Sequence, residues 1–233
     1  MIRVAVAGAL GRMGRVARIA LHDAADMSYA GGFARTASTG EGIVDDFDVL
    51  LEGEPDVLLD LTTHPSTVEL SMRALERGVR PVIGATGWTQ AECNALAVRA
   101  AQRRTGAMLV PNFSLGAALM MRFAQQAARF FPTVEIVEMH HDAKKDAPSG
   151  TARLTAERIR SQTKTEVPIH SVRLRGLGAH QEVLFGNDGE LLTLRHDAFG
   201  RDAYVRGMLA AIRGVMGQSE LTIGLDALLD AKP

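Results

Sequence analysis

Along the first half of the chain, short apolar or β-branched runs alternate with stretches whose apolar positions recur every three to four residues. The runs Ile2–Ala7, Ser28–Phe33, Val57–Leu61, Pro81–Ile83 and Met108–Val110 predict strands; helices are predicted from Arg12, near Ser66–Arg77 and over Gln90–Arg103. Such alternation is the grammar of βαβ units. It predicts a parallel sheet whose ligand crevice lies beyond the carboxyl ends of its strands.

After Asn112 the pattern changes. A helix over Leu115–Phe130 leads to a strand Thr133–Met139, a loop and a helix Thr151–Arg160, and then to three strand-like runs, Ile169–Leu174, Gln181–Phe185 and Leu191–His196, with no helix between them. That succession predicts a second domain with an open, mixed or mainly antiparallel sheet. The final stretch, Tyr204 to Leu229, reads as helical and apolar enough to pack on the first domain. The expected fold class is therefore α/β, with residues 1–112 and 202–233 in a parallel-sheet domain and 113–201 in an α+β domain.

Composition narrows the partners. The 233 residues are 46% hydrophobic, enough for a full core, and 26 basic against 27 acidic side chains give no field that draws the chain to nucleic acid or to an anionic membrane. Cys93, the single cysteine, has no zinc-type Cys/His spacing around it, so a reducing cytoplasm and no metal are expected. The opening run is too short for a signal peptide or a membrane span.

Gly8, Gly11 and Gly14 follow the first predicted strand directly and precede a helix. This turn suits a pyrophosphate approaching backbone N–H groups at a helix N-terminus, although its G-x-x-G-x-x-G spacing departs from the usual G-x-G-x-x-G. A tight strand-to-helix turn with no ligand would look similar. The arrangement predicts a Rossmann-like dinucleotide-binding domain. At the tip of the second strand, Ala34-Arg35-Thr36 offers no acid for a ribose, whereas Arg35 with Thr36, Ser38 and Thr39 suits a 2′-phosphate. NADPH is expected to be preferred, or at least used as well as NADH; a merely solvated Arg35 is the alternative. The loops Gly84-Ala85-Thr86-Gly87-Trp88 and Val110-Pro111-Asn112-Phe113, after later strands, should face the nicotinamide.

The densest chemistry lies in Glu138-Met139-His140-His141-Asp142-Ala143-Lys144-Lys145-Asp146-Ala147-Pro148-Ser149-Gly150-Thr151. Two histidines and Lys144 concentrate cationic donors in one loop, and the start of the next helix adds unpaired N–H groups and a positive dipole end. The pattern suits a dianion and proton transfer near neutral pH. Consecutive histidines in a strand point to opposite sides, which disfavours a metal.

This segment closely resembles the E-x-H-H-x-x-K-x-D-A-P-S-G-T-A signature of the bacterial 4-hydroxy-tetrahydrodipicolinate (dihydrodipicolinate) reductase family. The resemblance extends through VAVAGALGRMGR, VIGATGW, PNFSLGA and the run from His180. It implies reduction of 4-hydroxy-tetrahydrodipicolinate to tetrahydrodipicolinate and water with hydride from NAD(P)H, in lysine and diaminopimelate synthesis. His140 and Lys144 resemble the family's proton-transfer groups, and His141, Gly150 and Thr151 its contacts to the carboxylates of a small cyclic substrate. The cofactor positions implied are Gly8, Ala9, Leu10, Gly11, Arg12, Met13, Gly84, Ala85, Thr86, Val110, Pro111, Asn112 and Phe113. A homotetramer built through the second domain's sheet is implied as well. Many relatives carry an acid at Ala34, Thr at Ala85 and Ala-Ala at Val110-Pro111; the first departure weighs against tight NADH use. Rival readings are an aspartate or homoserine dehydrogenase-like enzyme, and a sensor that binds NADPH without turnover.

Overall fold

The structure, a computed structural model, describes residues 1–230. In chain order it runs β1 (Ile2–Ala7), α1 (Arg12–Asp23), β2 (Met27–Phe33), β3 (Ile43–Val44), α2 (Phe47–Glu52), β4 (Val57–Asp60), α3 (Ser66–Glu76), β5 (Arg80–Ile83), α4 (Gln90–Arg103) and β6 (Ala107–Leu109). There follow α5 (Leu115–Ala127), β7 (Thr133–His140), α6 (Gly150–Arg160), β8 (Ile169–Arg173), β9 (Ala179–Asn187) and β10 (Glu190–Ala198), and finally α7 (Val205–Val215), β11 (Leu221–Ile223) and α8 (Asp226–Leu229). The chain divides into two compact units, Met1–Phe113 with the segment from Tyr204 onward, and Ser114–Ala203. These boundaries lie one and two residues beyond those expected, and the last three residues of the expected 202–233 segment fall outside the described residues.

The first unit holds a seven-stranded parallel sheet in the order β11-β6-β5-β4-β1-β2-β3. The chain moves outward from β1 to β3 and then returns to the other side of β1 with β4. The crevice of such a sheet opens at that reversal, beyond the carboxyl ends of β1 and β4. Val57, Leu58 and Leu59 are completely buried, as expected of a central strand covered on both faces. α1 turns Gly14, Ala17 and Leu21 inward at helical spacing, and α4 starts with a reciprocal cap between Thr89 and Glu92.

One sequence expectation needs correction here. The stretch Tyr204 to Leu229 is not helical throughout: α7 ends at Val215, and Leu221–Ile223 becomes β11, which pairs in parallel with β6. A three-residue strand is too short to leave a period of its own, and it forms because the edge of β6 offers unpaired backbone groups. Between Arg35 and Asp56, where no element was assigned, the short β3 extends the opposite edge and α2 closes over Leu50 and Leu51.

In the second unit, a four-stranded mixed sheet has the order β10-β9-β7-β8. β9 is antiparallel to both neighbours, while β7 and β8 run parallel. α5 and α6 cover one face around a cluster that includes Met121, Ile136, Ala156, Ile159, Val183 and Phe185. On β7, Val134, Ile136, Glu138 and His140 share a face by the two-residue period. Its apolar half enters that cluster; its polar half meets the start of α6.

Candidate active site

At the end of β1 the backbone turns so tightly that only glycine fits. Gly8 has φ +77°, and a Cβ there would stand 2.8 Å from the Leu61 carbonyl oxygen; a Cβ at Gly14 would stand 2.2 Å from that of Gly8. The Gly8 and Ala9 N–H groups donate to the Phe33 carbonyl, which fixes the turn against β2. Gly11 caps α1 without any side-chain bond, so the first N–H groups of the helix, from Arg12 and Met13 onward, face the turn without an intrahelical acceptor.

A cleft of about 560 Å³ opens there, lined by Gly8, Leu10 and Gly11 of the turn, Arg35 and Thr36 of the β2 tip, and Thr62, Thr63 and Ser66 beyond β4. None of its lining residues is acidic. Sequence reasoning did not single out Thr62, Thr63 or Ser66 as site residues; the available signal was the place of the threonines directly after a predicted strand and of Ser66 at the start of the next predicted helix. Asp60 anchors this loop from beneath, fully buried, accepting from the Thr62 N–H and hydroxyl at 2.9 and 2.6 Å and from the Thr67 hydroxyl at 2.8 Å. Burial raises its carboxyl in spite of those bonds.

The two expected nicotinamide loops adjoin each other at the ends of β5 and β6. The Val110 N–H donates to Ile83, and a Cβ on Gly84 would lie 2.7 Å from the Phe113 ring. Ala85, Val110 and Phe113 are buried, Thr86 and Pro111 exposed and Asn112 half-buried. These residues do not line the 560 Å³ cleft. Trp88 is partly buried and packs against the cluster that includes Leu96 and Leu109.

In the second unit, His140 closes β7 and the loop beyond it carries His141 and Lys144 before Ser149 caps α6 by accepting from the Ala152 N–H at 3.1 Å. Gly150 and Thr151 form the first residues of that helix. His141 is exposed, and Lys144 Nζ donates to Asp146 at 2.6 Å. His140 Nδ1 lies 2.5 Å from Glu138 Oε2, and the Glu138 carboxylate also meets Arg173 Nη1 and Nη2 at 2.9 and 2.7 Å and the Ser149 N–H at 3.1 Å. Burial alone would raise the Glu138 carboxyl, but hydrogen bonds from Arg173, Ser171 and His140 outweigh it and hold it at about 2. Burial lowers His140 below the ordinary imidazole value, against the opposing pull of Glu138. Neither Glu138 nor Arg173 had been given a role from the sequence.

A family model described as dihydrodipicolinate reductase, N-terminus, matches residues 2–113, and its C-terminal counterpart matches residues 116–229. The chain belongs to the dihydrodipicolinate reductase family. It is 40% identical over 263 residues to the 4-hydroxy-tetrahydrodipicolinate reductase of Bacillus licheniformis, and 42% identical over 258 residues to that of Lactococcus lactis subsp. cremoris, in each case covering 98% of both chains. The solved structure of a dipicolinate-bound dihydrodipicolinate reductase from Paenisporosarcina sp. TG-14 superposes with a TM-score of 0.89 at 38% identity, over 97% of this chain and 99% of that one. A probable dehydrogenase from Thermotoga maritima, 12% identical with a TM-score of 0.70, shares the fold. As a dihydrodipicolinate reductase family member the chain is an oxidoreductase that uses a nicotinamide dinucleotide. The glycine turn fits such a group: Gly8 and Gly11 line a cleft without acidic side chains, at the start of a helix whose N-cap residue makes no side-chain bond. Among the described residues, no helix is long and apolar enough to cross a membrane.

Proposed function

We propose that this chain reduces 4-hydroxy-tetrahydrodipicolinate to tetrahydrodipicolinate and water in lysine and diaminopimelate synthesis, with the first unit holding the dinucleotide and residues 114–203 holding the substrate. The observation that carries this reading is the placement of His140 at the end of β7, with His141 and Lys144 in the loop that leads to the N-terminus of α6. The side chains of His141 and Lys144, with the Gly150 and Thr151 N–H groups at a positive dipole end, form a cradle for a ring with two carboxylates. The dipicolinate carried by the Paenisporosarcina structure is such a ring.

When bound, the nicotinamide dinucleotide supplies the hydride that adds at ring C4. Gly8 to Met13 would hold its pyrophosphate, and Gly84 to Thr86 and Val110 to Phe113 would face its nicotinamide. Arg35 and Thr36 line the cleft where no acid does, which favours NADPH over NADH. At neutral pH the lowered His140 is neutral, and because the ionised Glu138 can only accept, the imidazole proton sits on Nδ1 and Nε2 keeps a lone pair. Nε2 then takes a proton from the carbon beside C4 while the Lys144 ammonium protonates the departing hydroxyl. Once C4 is reduced, His140 returns its proton to the neighbouring carbon, and Lys144 recovers one from solvent. His141 and the α6 N-terminus hold the carboxylates throughout, so that catalysis is largely positioning and electrostatics.

The open face of the second sheet, where Val172 and Leu191 are exposed beside the half-buried Val137 and Met139, supports assembly into a homotetramer. The lone Cys93 supports a cytoplasmic location. The decisive experiment condenses aspartate semialdehyde with pyruvate enzymatically in situ and follows oxidation of NADPH, then NADH. Oxidation that depends on both precursors is expected, with Lys144→Ala reducing kcat by about two orders of magnitude or more. Dinucleotide binding without any turnover would reject the proposal.

A further inference from the structure

The carboxylate of Glu138 sits completely buried at the junction of four pieces of the second unit. Oε1 accepts from the Ser149 N–H and Arg173 Nη2, and Oε2 from Arg173 Nη1 and His140 Nδ1. Each oxygen takes two of these donors, and Ser171 adds a further hydrogen bond to the carboxylate. Arg173 Nη2 reaches on to the Asp146 carbonyl at 2.7 Å, and Asp146 in turn accepts from Lys144. One ion pair thus fixes the end of β7, the end of β8, the loop between them and the start of α6.

We infer that Glu138, together with Arg173, is a positioning residue that locks His140 in the tautomer with Nδ1–H donated to the carboxylate and Nε2 presented as the proton-transferring atom. The inference rests on the reading of His140 given above. Besides joining β7, β8 and the start of α6, the Glu138 carboxylate is aimed at His140 Nδ1. A carboxylate there costs desolvation, which is offset only by this full set of donors. Arg173 makes the same argument from the other side: opposite His140 in the parallel register, it reaches back along β7 to grip Glu138 rather than extending to solvent. With both oxygens engaged, the carboxylate cannot rotate away, and the imidazole ring is held along with it.

Replacing Glu138 with Gln exposes the logic. The amide nitrogen must occupy one of the two oxygen positions: at Oε1 it would face two fixed donors, the Ser149 N–H and Arg173 Nη2, whereas at Oε2 it would face one, Arg173 Nη1, beside His140. It therefore turns toward His140, whose ring can exchange tautomers; Nδ1 becomes an acceptor and Nε2 gains the hydrogen. The base is then lost while the carboxylate cradle of His141, Gly150 and Thr151 stays in place.

The test combines kinetics with nitrogen-15 NMR of histidine-labelled full-length protein. In the wild type the His140 signals should report a protonated Nδ1 and a bare Nε2, a measurement that needs neither substrate nor variant; an Nε2–H tautomer would overturn the inference. In Glu138→Gln the tautomer should invert, kcat should fall by about 100-fold or more as when other orienting groups of catalytic histidines are altered, and KM should move little. In a His140→Ala background the same substitution should cost little further activity; independent, multiplying losses would also overturn it. Should the wild type fail to turn over 4-hydroxy-tetrahydrodipicolinate, the proposed reaction is wrong, yet the tautomer still decides the role of Glu138.

Discussion

Glu138 on β7 and Arg173 on β8 form a two-point ion pair, Nη1 to Oε2 at 2.9 Å and Nη2 to Oε1 at 2.7 Å, in which the carboxylate is fully buried and the guanidinium largely so. A pair of this kind differs from a surface salt bridge because its partners cannot return to water separately. Arg173→Met leaves the carboxylate buried with its main counter-ion gone, and the second unit should lose about 3–5 kcal/mol of stability. Urea unfolding monitored on the full chain checks it; a loss below about 1 kcal/mol contradicts the assignment of the pair as a buried one.

The same pair sets an acid limit. Glu138 has a folded-state value of about 2 against 4.5 when unfolded, so its stabilisation is complete above pH 4.5 and is lost as the pH falls toward 2. His140 acts in the same direction from higher pH: burial depresses it below 6.5, so protonation favours the unfolded chain as the pH drops below that value. Unfolding midpoints between pH 7 and 2.5 should decline over both ranges, and Glu138→Gln should flatten the lower one.

Gly8→Ala places a methyl group 2.8 Å from the Leu61 carbonyl in a residue with φ +77°. The turn must open, at a cost of about 1–3 kcal/mol. Dinucleotide affinity measured by calorimetry should fall at least tenfold, whereas His140 and its partners, in the other unit, should keep their NMR signals.

Arg35 is exposed at the cleft lip beside Thr36. Arg35→Ala should lower kcat/KM for NADPH by about ten- to a hundredfold, the scale of hydrogen bonds to a charged group, and leave NADH nearly unaffected. Equal losses with both dinucleotides would indicate that Arg35 does not recognise a 2′-phosphate.

Much of this was legible in the residues because it is local. The apolar period fixes β1, α4 and β7 to within a residue or so. The strand-to-helix glycine turn is written in seven consecutive residues, and the His140–Thr151 segment carries its own signature. Thr62, Thr63 and Ser66 were not singled out because ordinary loop residues acquire a role through the neighbours to which the sheet order brings them.

The chain by itself determined the element types, the glycine turn and the histidine-lysine loop, since each depends on residues a few positions apart. Tertiary structure alone decided that β11 completes the parallel sheet, that β7 lies parallel to β8, and hence that Arg173 meets a carboxylate thirty-five positions earlier. Strand pairing is chosen by the burial and backbone bonding of whole sheets. A hydrophobic period records which face of a strand is buried and carries no information about its neighbour.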